Sequence, residues 1–145
     1  MVVKRVHGIL IFKGDAMAVR ALVVDYQPTI AYTLALVLRL SGYEVRTEHS
    51  GEAALVTAMG WQPDLLIIEF ILADMNGLEC ATRIRRQYVD CGVILLYVCV
   101  GDSLLEEVRR LGFGAFEKPV NPEMLLAASG NLTRVSGPRR GSDGE

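Results

Sequence analysis

The sequence predicts an α/β fold, one doubly wound sheet of five parallel strands joined by crossover helices. Three observations point there. Short apolar runs alternate with helical patterns five times between about residues 20 and 128, as parallel strands with crossover connections require. The run Leu65-Leu66-Ile67-Ile68 is apolar at every position, which fits a strand covered on both faces. A length of 145 residues, 51% of them hydrophobic and 22% charged, suits one domain that buries roughly two thirds of its unfolded surface. Right-handed crossovers then give the strand order 2-1-3-4-5, with the first and third strands side by side.

The first strand is expected near 20–25, around Leu22-Val23-Val24. The first helix follows over about 28–41, with Pro28 in its first turn, Ser41-Gly42 at its end, and Ile30, Leu34, Val37 and Leu38 along one stripe. A second strand near 43–47 leads to a helix from Ser50 to Gly60. The third strand, near 64–69, precedes a helix from Asn76 to about Tyr88. The fourth, near 92–98, precedes a helix opening at Ser103, where Ser103 and Glu106 have the spacing of a capping box. A fifth strand near 114–117 and a helix over about 121–128 complete the alternation.

The ends differ in character. Residues 1–16 hold a short apolar run, Ile9-Leu10-Ile11-Phe12, and no small-residue cleavage site, so they read either as an N-terminal extension or as a start-site artefact. The domain is expected over 17–130, and 131–145, Gly-rich and charged, as a flexible tail without room for an output domain. A net charge of −2 offers no broad basic field for nucleic acid. No apolar stretch approaches the roughly 20 residues of a membrane span, so a cytoplasmic protein is expected. Cys80, Cys91 and Cys99 lack paired spacing and read as inert thiols at small buried positions. His7 and His49 read as surface residues, and Arg83, Arg85 and Arg86 as a solvated helix face without interleaved aromatics.

Ligand sites in such sheets lie beyond the carboxyl ends of the strands. Asp25 and Glu69 end the neighbouring first and third strands, so two carboxylates are expected in one crevice. A buried acid pair needs a cation, and Lys118, at the end of the fifth strand, is the obvious one. On residue types alone, the reading favoured over a functional site is a structural ion pair at the sheet's edge.

Four segments, in order and spanning roughly 19–128, resemble two-component receiver domains. Leu22-Val23-Val24-Asp25-Tyr26-Gln27-Pro28 is similar to the family's first strand and acidic pair, with Tyr26 in place of the second acid. Glu69 followed by Leu72-Ala73-Asp74-Met75-Asn76-Gly77-Leu78-Glu79 resembles the phosphoacceptor segment, with Glu for Asp at the acceptor and Ala73 for Pro. Gly92-Val93-Ile94-Leu95-Leu96-Tyr97-Val98 is similar to the fourth strand, with Tyr97 at the Ser or Thr position. Gly112 to Pro119 resembles the last strand, keeping Lys118-Pro119 but one residue shorter, so the aromatic switch position falls on Ala115 or Phe116.

The resemblance implies a flavodoxin-like (CheY-like) (βα)5 fold and a pocket of Asp25, Tyr26, Glu69, Tyr97 and Lys118 that is degenerate. In the family the second acid and the acceptor Asp hold Mg²⁺. Tyr26 offers only a neutral phenol, so Mg²⁺ binding is expected to be weak or lost, with no other cofactor or metal. The extra methylene of Glu69 moves the carboxylate by more than an ångström, which in-line transfer tolerates poorly. Tyr97 is too large for the inward swing of a Ser or Thr.

The expected protein is therefore a stand-alone, non-enzymatic pseudo-receiver acting by phosphorylation-independent protein contact, with Glu69 either a built-in mimic of the charged state or inert. The alternative is a receiver that still accepts a phosphoryl group from a histidine kinase. A phosphatase-like hydrolase would need Asp-x-Asp after a strand, which neither Asp25-Tyr26-Gln27 nor Glu69-Phe70-Ile71 supplies. Expected partners are a histidine kinase, an effector or a second copy. The resemblance places contact on the face of the fourth helix, fifth strand and fifth helix, where Leu104, Leu105, Val108 and Phe116, with Arg109 and Arg110, suggest an apolar patch rimmed by charge.

Overall fold

A computed structural model describes residues 2–6, 9–13 and 18–136. In chain order the elements are β1 (Val2–Val6), β2 (Ile9–Lys13), β3 (Arg20–Val24), α1 (Pro28–Leu40), β4 (Glu44–Glu48), α2 (Gly51–Trp61), β5 (Leu65–Glu69), α3 (Gly77–Gln87), β6 (Gly92–Tyr97), α4 (Asp102–Arg110), β7 (Gly114–Glu117) and α5 (Pro122–Ser136). The five parallel strands β3 to β7 lie in the order β4-β3-β5-β6-β7, which is 2-1-3-4-5 counted from β3.

Central strands bury both faces, and alternation divides their side chains between two cores. Leu22, Val24, Leu66, Ile68, Val93 and Leu95 face α2, α3 and α4. Ala21, Val23, Leu65, Ile67, Ile94 and Leu96 face α1 and α5. All twelve are fully buried, and each Leu, Ile or Val contributes about 1.5–3 kcal/mol of transfer free energy. Of the edge strand β4 only Val45 is buried. Nearby, Arg20 pairs with Glu44 at 3.2 Å, and the guanidinium groups of Arg20 and Arg46 lie 5.6 and 4.8 Å from the centroid of the buried Trp61 ring.

Helix starts follow local chemistry in four cases, Asn121 capping α5 by accepting from the Met124 N–H at 3.1 Å, and depart from it in one. Pro28 opens α1, Ser50 caps α2 by accepting from the Ala53 N–H, and Asn76 caps α3 by accepting from the Glu79 N–H. The expected capping box on α4 does not form: the helix starts at Asp102 behind Gly101, with no side-chain cap. The last helix is longer than expected, reaching Ser136, because Ser129 and Thr133 are buried and Leu132 seats against Gly92, where a Cβ would meet it at 2.9 Å. Of the tail, residues 137–145 lie outside the described residues, as does His7.

At the other end the apolar run belongs to an antiparallel ribbon, β1 with β2, in register from Val2↔Lys13 to Val6↔Ile9. Among the described residues no helix is long and apolar enough to cross a membrane.

Candidate functional site

Neighbouring strands β3 and β5 pair Val24 with Ile68, so the following residues, Asp25 and Glu69, emerge together at the carboxyl edge. Asp25 is fully buried and Glu69 is 2% exposed. Lys118, one residue past β7, donates from Nζ to Asp25 Oδ2 at 2.8 Å and to Glu69 Oε1. Its backbone N–H is held by the Tyr97 carbonyl at 2.7 Å, and its peptide bond to Pro119 is cis. One ammonium thus bridges two buried carboxylates. Burial alone would lower the Lys118 pKa, but the hydrogen bonds and charges of Asp25 and Glu69 outweigh it and hold the group above its ordinary value.

The carboxylates are otherwise unequally satisfied. Asp25 Oδ1 accepts from the Gln27 N–H at 2.9 Å, whereas Glu69 Oε2 has only a long contact of 3.4 Å from the Ile71 N–H. His49, expected on the surface, is half-buried beside the site, with Nδ1 3.0 Å from the Asp25 carbonyl and the Tyr32 ring edge-on at 5.6 Å. Tyr26 is half exposed and makes no ion pair with the triad. Tyr97 is half-buried at the end of β6, and Val98 beyond it is exposed.

The loop between β5 and α3 is pinned from two sides. Gly77 has no room for a side chain, since a Cβ there would collide with the Glu69 carbonyl. Asp74 reaches α2 and accepts from the Gly51 and Glu52 N–H groups, each at 2.9 Å. Those bonds, Gly51's first, hold its carboxyl below the usual carboxylate range, as expected for an acid at a helix N-terminus. The residues preceding Asp74 gave no hint of this tie, because its partners lie more than 20 positions upstream.

Beside the triad, a cleft of about 630 Å³ opens between the start of α1 and the loop after β7, lined by Tyr26, Ile30, Thr33, Glu69, Ile71 and Val98 among others.

The expected apolar patch on α4 is corrected by the packing. Val108 is fully buried, Leu104 packs against one core and Phe116 against the other. What α4 exposes is Glu106, Glu107, Arg109 and Arg110, with Leu105 half-buried and Leu111 38% exposed. Val108 and Leu104 of α4 are spent on the core. Ala115 and Phe116 are both half-buried.

Cys80 and Cys91 are buried, and burial pushes their thiols up to about 11 and about 12. Cys99 is exposed, contrary to expectation. On α3, Arg83 pairs with Glu79 in solvent and Arg85 lies over Phe113.

Residues 21–129 match the family described as response regulator receiver domain. Transcriptional regulatory protein TrcR of Mycobacterium tuberculosis is 30% identical over 129 residues, covering 87% of this chain and 49% of that protein. DNA-binding response regulator MtrA of Mycolicibacterium smegmatis is 32% identical over 116 residues, covering 78% and 50%. The high-resolution structure of chemotaxis response regulator CheY4 of Vibrio cholerae superposes with a TM-score of 0.70 at 29% identity, covering 79% of this chain and 98% of that one. The chain spans about half the length of the curated relatives it matches.

Proposed function

The chain belongs to the response regulator receiver domain family of two-component signalling, and from that premise we propose that it is an atypical receiver, one that signals by protein contact without accepting a phosphoryl group. The observation that carries this reading is the Lys118 bridge: an ammonium of the chain itself already pairs with both strand-end carboxylates and offsets one of their two charges. Glu69 stands at the acceptor position with its carboxylate committed to Lys118 and buried. In the reading proposed, it is a fixed ion-pair partner and not a nucleophile.

The family's Mg²⁺ fits these donors poorly. Among the described residues no three His, Cys, Asp or Glu side chains converge in a metal-binding group, and Tyr26 brings no negative charge where a hard cation needs one. Millimolar Mg²⁺ is therefore expected to leave the melting temperature nearly unchanged. A site whose Kd exceeds the added metal contributes well under about 1 kcal/mol. An upward shift with Mg²⁺ but not Na⁺ would contradict this.

A second reading has Glu69 stand permanently for the charged state, favoured by its direct pair with Lys118. Tyr97 argues against it. A side chain of that size is a poor substitute for the small hydroxyl that swings inward in the family.

The proposed contact surface remains the face of α4, β7 and α5, with the exposed charges of α4 as its recognition elements in place of an apolar patch. A histidine kinase, an effector or a second copy is the proposed partner, in the cytoplasm. The DNA-binding activity in the name of MtrA is a property of that longer protein. Arg109→Glu with Arg110→Glu should weaken association while leaving the melting temperature within a few degrees, because both are exposed and substitutions at such surface positions usually stay within about 0.5 kcal/mol. Undiminished association of the double variant would move the interface elsewhere.

A further inference from the structure

The cleft beside the triad has two properties that belong together. Its walls are largely apolar: Ile30 and Leu34 of α1 on one side, Ile71 and Val98 from the loops after β5 and β6, and Pro119 and Val120 beyond Lys118. Ile71 and Val98 are 62% and 61% exposed, so they present apolar surface to the opening and not to a core. Glu69 and Lys118 also line it, and with the buried Asp25 that Lys118 also holds they form a group of unbalanced charge. Asp25 and Glu69 bring two negative charges and Lys118 brings one positive charge, leaving a net charge of one negative on largely buried groups.

The imbalance is local to Glu69. Both oxygens of Asp25 are engaged at 2.8 and 2.9 Å. Glu69 lines the cleft, and its Oε2 has only the 3.4 Å contact with Ile71 N–H, longer than a good N–H···O bond. A buried carboxylate oxygen with so little donation gains most from an added charged donor. A volume of about 630 Å³ falls in the range of sites for small organic molecules.

We infer that this cleft binds a small amphipathic amine, its apolar body between α1 and Val98 and its ammonium donating to Glu69. The inference rests on the acid pocket not being reserved for Mg²⁺ and phosphoryl chemistry. The ligand would bridge α1 to the loops after β5 and β6, coupling binding to the carboxyl edge of the sheet.

The test is a titration of the full chain, in EDTA, with naphthylmethylamine, naphthylmethanol and naphthylacetate, followed by amide chemical shifts. The three share an apolar body and differ in head-group charge. The amine is expected to bind about tenfold more tightly than the alcohol, the acid most weakly, with shifts at Ile30, Thr33, Ile71 and Val98. Glu69→Gln should bring the amine down to the affinity of the alcohol. Thr33→Trp, at an exposed position on the cleft wall, should abolish binding of both while preserving the melting temperature. Equal binding of the three probes, no binding of the amine at millimolar concentration, shifts confined to another surface, an amine preference that survives Glu69→Gln, or binding untouched by Thr33→Trp would each overturn the inference. Repeating the titration in Mg²⁺ separates the two claims. Competition between metal and amine would contradict the proposed loss of Mg²⁺ binding and leave the amine site standing.

Discussion

Lys118→Met should lower the melting temperature further than any other single change at the carboxyl edge. Methionine keeps most of the side-chain volume but leaves Asp25 and Glu69, fully buried and 2% exposed, facing each other with no cation. Breaking a buried pair by removing one partner costs about 3–5 kcal/mol, which corresponds to a fall of roughly 12–20 °C for a domain of this size. The loss has a pH signature. Because Lys118 is raised above its ordinary value of 10.5 in the folded chain, its stabilisation is fully present below that value and is lost as the pH rises through the folded-state value. The native chain should therefore show an alkaline loss of stability that Lys118→Met lacks. Adding Asp25→Asn to Lys118→Met should recover part of the deficit, since only one uncompensated carboxylate then remains. Thermal melts of the three chains from neutral to alkaline pH check this, and a Lys118→Met loss under about 1 kcal/mol would mean that the triad contributes little.

Gly77→Ala should be nearly as damaging, for a steric reason. A methyl at the first residue of α3 would run into the Glu69 carbonyl, a backbone group held in the sheet. It cannot rotate away as a flexible side chain could. Overpacking of this kind costs about 3 kcal/mol, and relief requires either α3 or the end of β5 to move. Denaturant unfolding gives the cost, and amide shifts from Glu69 to Ile71 show whether the site moves with it. By contrast, Gly60→Ala has no atom within 4 Å of the added Cβ and should be neutral or slightly stabilising, since it is a helical glycine. Equal effects of the two substitutions would refute the steric account.

The parts of the fold that were legible in the sequence share a local cause. The runs Ala21–Val24, Leu65–Ile68 and Val93–Leu96 are apolar without interruption because both faces are covered, and Pro28, Ser50 and Asn76 mark helix starts through their own backbone chemistry. Asp25, Glu69 and Lys118 could be placed together because strand order follows from crossover handedness and each residue ends its strand. What escaped depends on distant partners. Ser103 and Glu106 have the right spacing for a capping box, yet Asp102 already lies in the helix and Gly101 takes the cap position. Val108, Leu104 and Phe116 look like a surface stripe until the sheet beneath them is in place. The link from Asp74 to α2 and that from His49 to Asp25 join segments whose separation in sequence hides them. α5 runs past its expected end near 128 because Leu132 seats against Gly92 and Thr133 is buried, contacts that the local sequence does not announce.

If the bridge from Lys118 to Asp25 and Glu69 stands in place of phosphoryl chemistry, the native chain incubated with acetyl phosphate and Mg²⁺ should show an unchanged intact mass. A gain of one phosphoryl group, localised by fragmentation to Glu69, would contradict it.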